Sequence, residues 1–290
     1  MQRKPVENVF APPAPHMVGD GFKVHNFFPS GARMGARRMS PFFLMDYGAK
    51  TIIPPSDSPR GVGAHPHRGF ETVTIAFHGR VAHHDSAGNS GIIGEGEVQW
   101  MTAGSGILHK EYHEKEFSLS GGPMQMVQLW VNLPAKYKMS KPGYQGLTRD
   151  MMGKVELPDG MGHVNVIAGE YRGIKGPAHT FTPVSLLTAE LKAGAEAEFS
   201  FPANFNTGLL VLEGKVTANG AAVPQDRFAL FGNEGEGVAV QAEADSKILL
   251  LSGEPIDEPI ASYGPFVMNT QKEIMQAVED YQAGKFGRLE

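Results

Sequence analysis

Apolar and polar positions alternate along most of the chain, in short runs broken by turn residues. In residues 71–77, Glu71, Val73, Ile75 and Phe77 form one set and Thr72, Thr74 and Ala76 the other. Period-two alternation with β-branched residues predicts a strand. Residues 98–102 and 124–133 read the same way, the second ended by Pro134, and 22–28, 42–46 and 81–86 are shorter candidates. Residues 1–20 read as an irregular arm and 51–63, rich in Pro, Ser and Gly, as a loop. A basic turn is expected at 33–38, a turn at His78-Gly79-Arg80, and a long hairpin connection with four glycines at 86–96. A polar stretch, 136–144, carries Pro142 and Gly143, and the β texture then resumes at 164–168, 184–191, 198–201, 208–212, 215–218, 228–231, 238–241 and 247–251. Glu213-Gly214-Lys215 reads as a hairpin turn, in the place that 77–80 holds in the first half. This suggests two copies of one barrel, meeting near residue 150.

Only the end of the chain changes period. Thr270-Gln271-Lys272-Glu273 fits a capping box, with Ile274, Val278 and Tyr281 at helical spacing and Gly284 to stop it. One helix of ~12–14 residues is predicted, lying across a barrel.

Composition narrows the chemistry. The 290 residues are 41% hydrophobic and 20% charged, with a net charge of −5, so no clustered basic surface favours nucleic acid. The 36 glycines and 21 prolines suit many short strands. Without cysteine, any metal must be held by His, Asp or Glu. The N-terminus reads as no secretory signal and no run is long enough to cross a bilayer, so no membrane association and a cytoplasmic location are expected.

Two runs then stand out. His65-Pro66-His67 and His109-Lys110-Glu111 each place donors two residues apart, on one face of a strand. One such pair among eleven histidines is weak; the second, about 40 residues on and likewise opened by a glycine-bearing turn, strengthens it. If the register ran back without a bulge, Glu71 would share the face of His65 and His67, although Gly69 marks a place for a bulge. Adjacent His83 and His84 cannot share a metal and read as structural or exposed; His78 reads as a turn residue, and His16, His25, His163 and His179 as structural. Met101, Met124, Met126 and Trp130 are candidates for an apolar lining.

These motifs resemble a known family. HPHRGFETVT, QWMTAGSGILHKE, QLWVNLP and YGPFVMNTQKEI…DYQAGKFGRL are similar to the pirins, two-barrel members of the cupin superfamily. The resemblance implies an all-β fold: a metal-binding cupin barrel in residues 1–150, then a second in 151–290 that lacks ligands and ends in the helix. It implies His65, His67, His109 and Glu111 as metal ligands, with Glu71 as a buried carboxylate beside them. His113 is read as packing near the site, with a smaller chance of contacting substrate. Three imidazoles and a carboxylate suit a divalent first-row metal with open positions. Iron(II) is favoured, with Ni, Mn, Co, Cu or Zn possible. Two functions follow from the resemblance. One is a quercetin 2,3-dioxygenase acting on a flavonol, with Glu111 or Glu71 taking the hydroxyl proton. The other is a metal- or redox-dependent regulator that binds a partner protein without turnover.

Overall fold

The structure is a computed structural model that describes residues 1–31 and 34–289. Arg33 of the expected basic turn lies outside the described residues. The chain forms two compact units, each of which combines distant segments. One comprises 14–29, 42–149 and 256–290; the other comprises 1–13, 30–41 and 150–255. The linear division at 150 expected from the sequence therefore matches one crossing point only. The C-terminal helix belongs to the unit of the first barrel, and the first thirteen residues belong to the second.

Each unit is a seven-stranded antiparallel sheet with a four-stranded one. In the first, the large sheet runs in the order Gly143–Leu147, Val98–Thr102, Phe70–His78, Gly122–Asn132, Phe42–Ile53, Phe22–Phe28, His16–Val18. The small sheet runs Gly61–His67, Ile107–His113, Val81–Asp85, Ser90–Ile93. In the second unit the large sheet is Val6–Phe10, Phe228–Phe231, Asn206–Glu213, Ser246–Gly253, Val184–Leu191, Gly162–Ala168, Gly153–Glu156, and the small one Glu196–Ser200, Gly237–Ala242, Lys215–Ala218, Ala221–Pro224. Strand for strand in sequence order the two arrangements correspond, except at the first edge strand, which each unit takes from a different place in the chain. The repeat that the alternation suggested is thus present in the topology.

Several local readings change. Glu213-Gly214-Lys215 is no hairpin: Asn206–Glu213 and Lys215–Ala218 pair in different sheets. Gly214, at φ +81°, turns the corner between them, as Gly79 does at φ +82° between Phe70–His78 and Val81–Asp85. The arm contains two edge strands, because Val6–Phe10 and His16–Val18 find open edges at Phe228–Phe231 and Phe22–Phe28. Edge pairing needs backbone partners and little side-chain alternation, which is why no pattern announced it. The loop at 51–63 shrinks, since strands Phe42–Ile53 and Gly61–His67 run into it, and the connection at 86–96 holds Ser90–Ile93.

The helix is Gln271–Gln282, with the expected capping box: Thr270 Oγ1 accepts from Glu273 N at 3.2 Å and Glu273 Oε2 accepts from Thr270 N at 2.8 Å. Its buried positions are Ile274, Ala277 and Asp280, while Tyr281 is exposed. Asp280 is buried because Arg68, the residue after His67, meets it at 2.9 Å. Among the described residues no helix is long and apolar enough to cross a membrane.

Candidate metal centre

The two ligand-bearing runs become neighbouring antiparallel strands, Gly61–His67 and Ile107–His113, with His109 directly opposite His65. A bulge between Val62 and His65 adds one residue on the first strand, so that Glu111 stands opposite Val62. The rings of His65, His67 and His109 gather with centroids 4.3 to 4.8 Å apart. One nitrogen of each lies within 4.8 Å of the others, and the ligand atoms of His83, His109 and Glu111 meet the same limit. Two ligands of one ion sit no more than about 4.2 Å apart at bond lengths of about 2.1 Å, and the two groups share His109.

Outer partners orient the rings. His65 Nδ1 is 2.8 Å from the Gly63 carbonyl, within the bulge, and His67 Nδ1 is 3.3 Å from the Pro265 carbonyl. A carbonyl can only accept, so both Nδ1 atoms carry the proton and both Nε2 atoms keep a free lone pair. His109 Nδ1 is 3.5 Å from His83 Nδ1, and His83 Nε2 is 3.2 Å from Asp85 Oδ2. His109 Nε2 is buried with no hydrogen-bond partner. A buried nitrogen without a partner is costly unless something absent from a protein-only structure occupies it. Burial, then neighbouring imidazoles, holds His67 and His109 well below the ordinary histidine range, which is the neutral form a metal takes.

Glu111 is held from the large sheet. Its Oε1 accepts from Gln99 Nε2 and from Thr74 Oγ1, the latter at 2.9 Å, and its Oε2 lies 3.5 Å from Gln128 Nε2. Thr74, Gln99 and Gln128 stand side by side in the ladder, so one row of the sheet carries all three. The one signal for them in the sequence is that Gln99 and Gln128 interrupt apolar runs.

Glu71 does not join this group. Strands Gly61–His67 and Phe70–His78 belong to different sheets, and Gly69, at φ +88°, breaks the register between them. A Cβ there would stand 2.0 Å from the Val267 carbonyl oxygen, so a side chain is sterically forbidden. Thr74 faces Glu111, so by strand parity Glu71 points to the opposite face, where it is buried and accepts from Thr102 Oγ1 at 2.7 Å. Burial raises its pKa to about 7. His83 also departs from expectation: it is fully buried against His109, while His84 on the other strand face meets Tyr112 Oη at 2.9 Å. His113 is buried away from the cluster, 2.9 Å from the Gly21 carbonyl and edge-on to Phe22 and Phe117.

His65, His67 and Glu111 open onto a cavity of about 230 Å³, walled by Phe22, Val24, Val62, Met126 and Trp130, with Asp46 and Gln128 among its few polar groups. Of the expected lining, Met126 and Trp130 are there; Met124 lines a neighbouring cavity, and Met101 packs with Ala103, Ile107 and Tyr144.

Two barrels of this topology, with a His/Glu cluster among the described residues of the first, define a bicupin whose donor set fits a divalent metal. Residues 21–131 match the family model described as Pirin and 186–287 the one described as Pirin C-terminal cupin domain. The chain belongs to the pirin family. It is 47% identical over 273 residues to a putative quercetin 2,3-dioxygenase of Pseudomonas aeruginosa, covering 94% of this chain and 95% of that one. It matches the crystal structure of a quercetin 2,3-dioxygenase from Acinetobacter baumannii with a TM-score of 0.94 and 44% identity, over the whole of both chains. A bacterial pirin from Escherichia coli, crystallised in complex with nickel(II), shares the fold at a TM-score of 0.65 and 21% identity, over 86% of this chain and all of that one.

Proposed function

We propose that the chain is a metal-dependent dioxygenase for flavonol-type aromatic enols such as quercetin. The observation that carries this reading is the donor cluster at the base of an apolar cavity, with His109 Nε2 buried and unpartnered. The activity in the names of the relatives supports it. His65, His67, His109 and Glu111 would hold one divalent ion, with iron(II) favoured and Ni, Mn, Co, Cu or Zn compatible with the same donors. Bound there, the ion supplies Lewis acidity toward an enol oxygen and redox chemistry toward dioxygen.

The protein's own groups then do the following. Trp130, Met126 and Val62 exclude water and contact the faces of a planar ligand. Thr74 and Gln99 hold Glu111 Oε1 and Gln128 stands beside Oε2, so the carboxylate is fixed in aim to accept the enol proton. Glu71, on the far face of the sheet, takes no part in that transfer.

The test loads the metal-free protein with each metal in turn and follows quercetin absorbance with and without oxygen. Oxygen-dependent consumption is expected with at least one metal, and its loss in His65→Ala. No oxygen-dependent turnover with any metal would overturn the reading and favour the regulatory one.

A further inference from the structure

One row of the large sheet is polar across five adjacent strands. Gln99 stands opposite Thr74, Thr74 opposite Gln128, Gln128 opposite Asp46, and Asp46 opposite Asn26. Directly opposed residues project to the same face, so five polar side chains cross the barrel wall in a line. The near end of the line holds Glu111. Toward the far end, before Asn26, stands Asp46, which no hydrogen bond among the described residues ties to the metal cluster. Met126 and Trp130, two residues either side of Gln128, flank the line and line the cavity with it.

Asp46 is an odd residue for such a place. It is half-buried among apolar walls, where an ionised carboxylate is costly unless its oxygens are bonded. Asn26 Nδ2 donates to Oδ1 at 2.8 Å. Among the described residues nothing donates to Oδ2. Burial pushes its pKa up, which is the signature of a carboxylate short of donors.

We infer that Asp46 is a specificity-determining residue, whose Oδ2 accepts a hydroxyl of a polyhydroxylated aromatic ligand whose enol end lies at the metal donors. This rests on the flavonol reading above. Neighbouring strands lie about 4.8 Å apart, so Asp46 stands two strands and roughly 10 Å from Thr74. An aromatic enol with a hydroxylated pendant ring spans that distance, and a single phenol ring does not. The polar line reads the ligand's edge while Met126 and Trp130 take its faces. Asn26 holds the carboxylate in aim.

The experiment uses the metal-loaded full chain without oxygen and reads ligand binding by tryptophan fluorescence. Quercetin is compared with 3-hydroxyflavone, which keeps the enol and lacks the ring hydroxyls, in the wild type and in Asp46→Asn. A hydrogen bond to a charged group contributes about 1.5 kcal/mol or more, equivalent to roughly ten-fold, so the wild type should bind quercetin at least that much more tightly. In Asp46→Asn that ratio should fall to about two-fold or less, through weaker quercetin binding with 3-hydroxyflavone unchanged. An unchanged ratio, or parity in the wild type, overturns the inference. Should the variant fail to fold, a quercetin with its pendant hydroxyls methylated is tested on the wild type, and undiminished binding overturns it equally. Selective binding of quercetin without consumption in oxygen would sink the dioxygenase reading and leave Asp46 standing. If neither flavonol binds, both fall.

Discussion

His109 is the most constrained donor in the first barrel. Its Nδ1 faces His83, its Nε2 faces the cluster, and both sides are buried. His65→Ala or His109→Ala should abolish tight metal binding, measured as metal per chain after desalting. His83→Ala removes only the outer ring, so binding should weaken ~10–100-fold, the usual cost of losing such a partner. An unaltered affinity would show that Asp85 and His83 merely pack. Glu71 gives a contrasting expectation. Its folded pKa, raised to about 7 by burial, lies above the unfolded value near 4.5. The folded state therefore binds the proton more tightly. The stability this contributes is complete below about pH 4.5 and is lost as pH rises through about 7. Glu71→Gln should flatten that slope, by on the order of 3 kcal/mol between pH 4.5 and 8, and leave metal content unchanged. The pairs His65/His67 and His109/Glu111 could be read as candidate donors because a two-residue spacing survives any strand register. Glu71 was misread because Gly69 resets the register, and His83 because adjacent histidines reveal opposite faces without saying which is inward.

The hairpin Ala261–Met268 and the helix Gln271–Gln282 act together as a clasp on the ligand strand. Pro265 accepts from His67, Val267 N donates to the Arg68 carbonyl at 3.1 Å, and Arg68 meets Asp280 while lying over the Phe286 ring. Lys138 completes it: its ammonium donates to the carbonyls of Gly69 and Val267 and to Asn132 Oδ1, at 2.7 to 2.9 Å. Burial draws its pKa down to about 7, but three acceptors around one nitrogen match the three protons of the charged form. Lys138→Met should cost about 3 kcal/mol in chemical denaturation, since it strands those acceptors. Arg68 and Lys285 hold Asp280 at a pKa of about 2. The stability this gives is present above about pH 4 and lost as pH falls through 2. Asp280→Asn should remove that acid-limb dependence and also weaken metal binding through His67. The helix itself was legible from its capping box. The buried Asp280 was not, because a hydrophobic-face pattern assigns a charged residue to solvent.

At the scale of the molecule, one strand order is built twice, and among the described residues the His/Glu groups that could hold a metal lie in the first barrel. The strands that match the ligand-bearing pair, Glu196–Ser200 and Gly237–Ala242, turn Ala197, Phe199, Val238 and Val240 into an apolar core. Such a core is self-sufficient, so removing metal should leave the chain folded. Metal at a hundred times its Kd should raise stability by only about 2.7 kcal/mol, read as a shift in melting. The alternation made both barrels legible. It could not show that each borrows its edge strand or clasp from the far end of the chain, since such pairing depends on proximity in space and leaves no local pattern. A fragment ending at residue 150 should therefore take up metal more weakly than the whole chain, and a peptide of 256–290 should restore it.

That borrowing sets a clock. All four candidate donors have been synthesised once Glu111 is made, but the Pro265 carbonyl that orients His67 follows only 154 residues later (265 − 111). At roughly 5–20 residues per second that interval lasts about 8–30 s. During it the nascent barrel presents its histidines with one ring unaligned. Tight metal uptake is therefore expected only after Pro265 is made, because a chain cut short of it would carry every candidate donor yet lack the brace that sets His67.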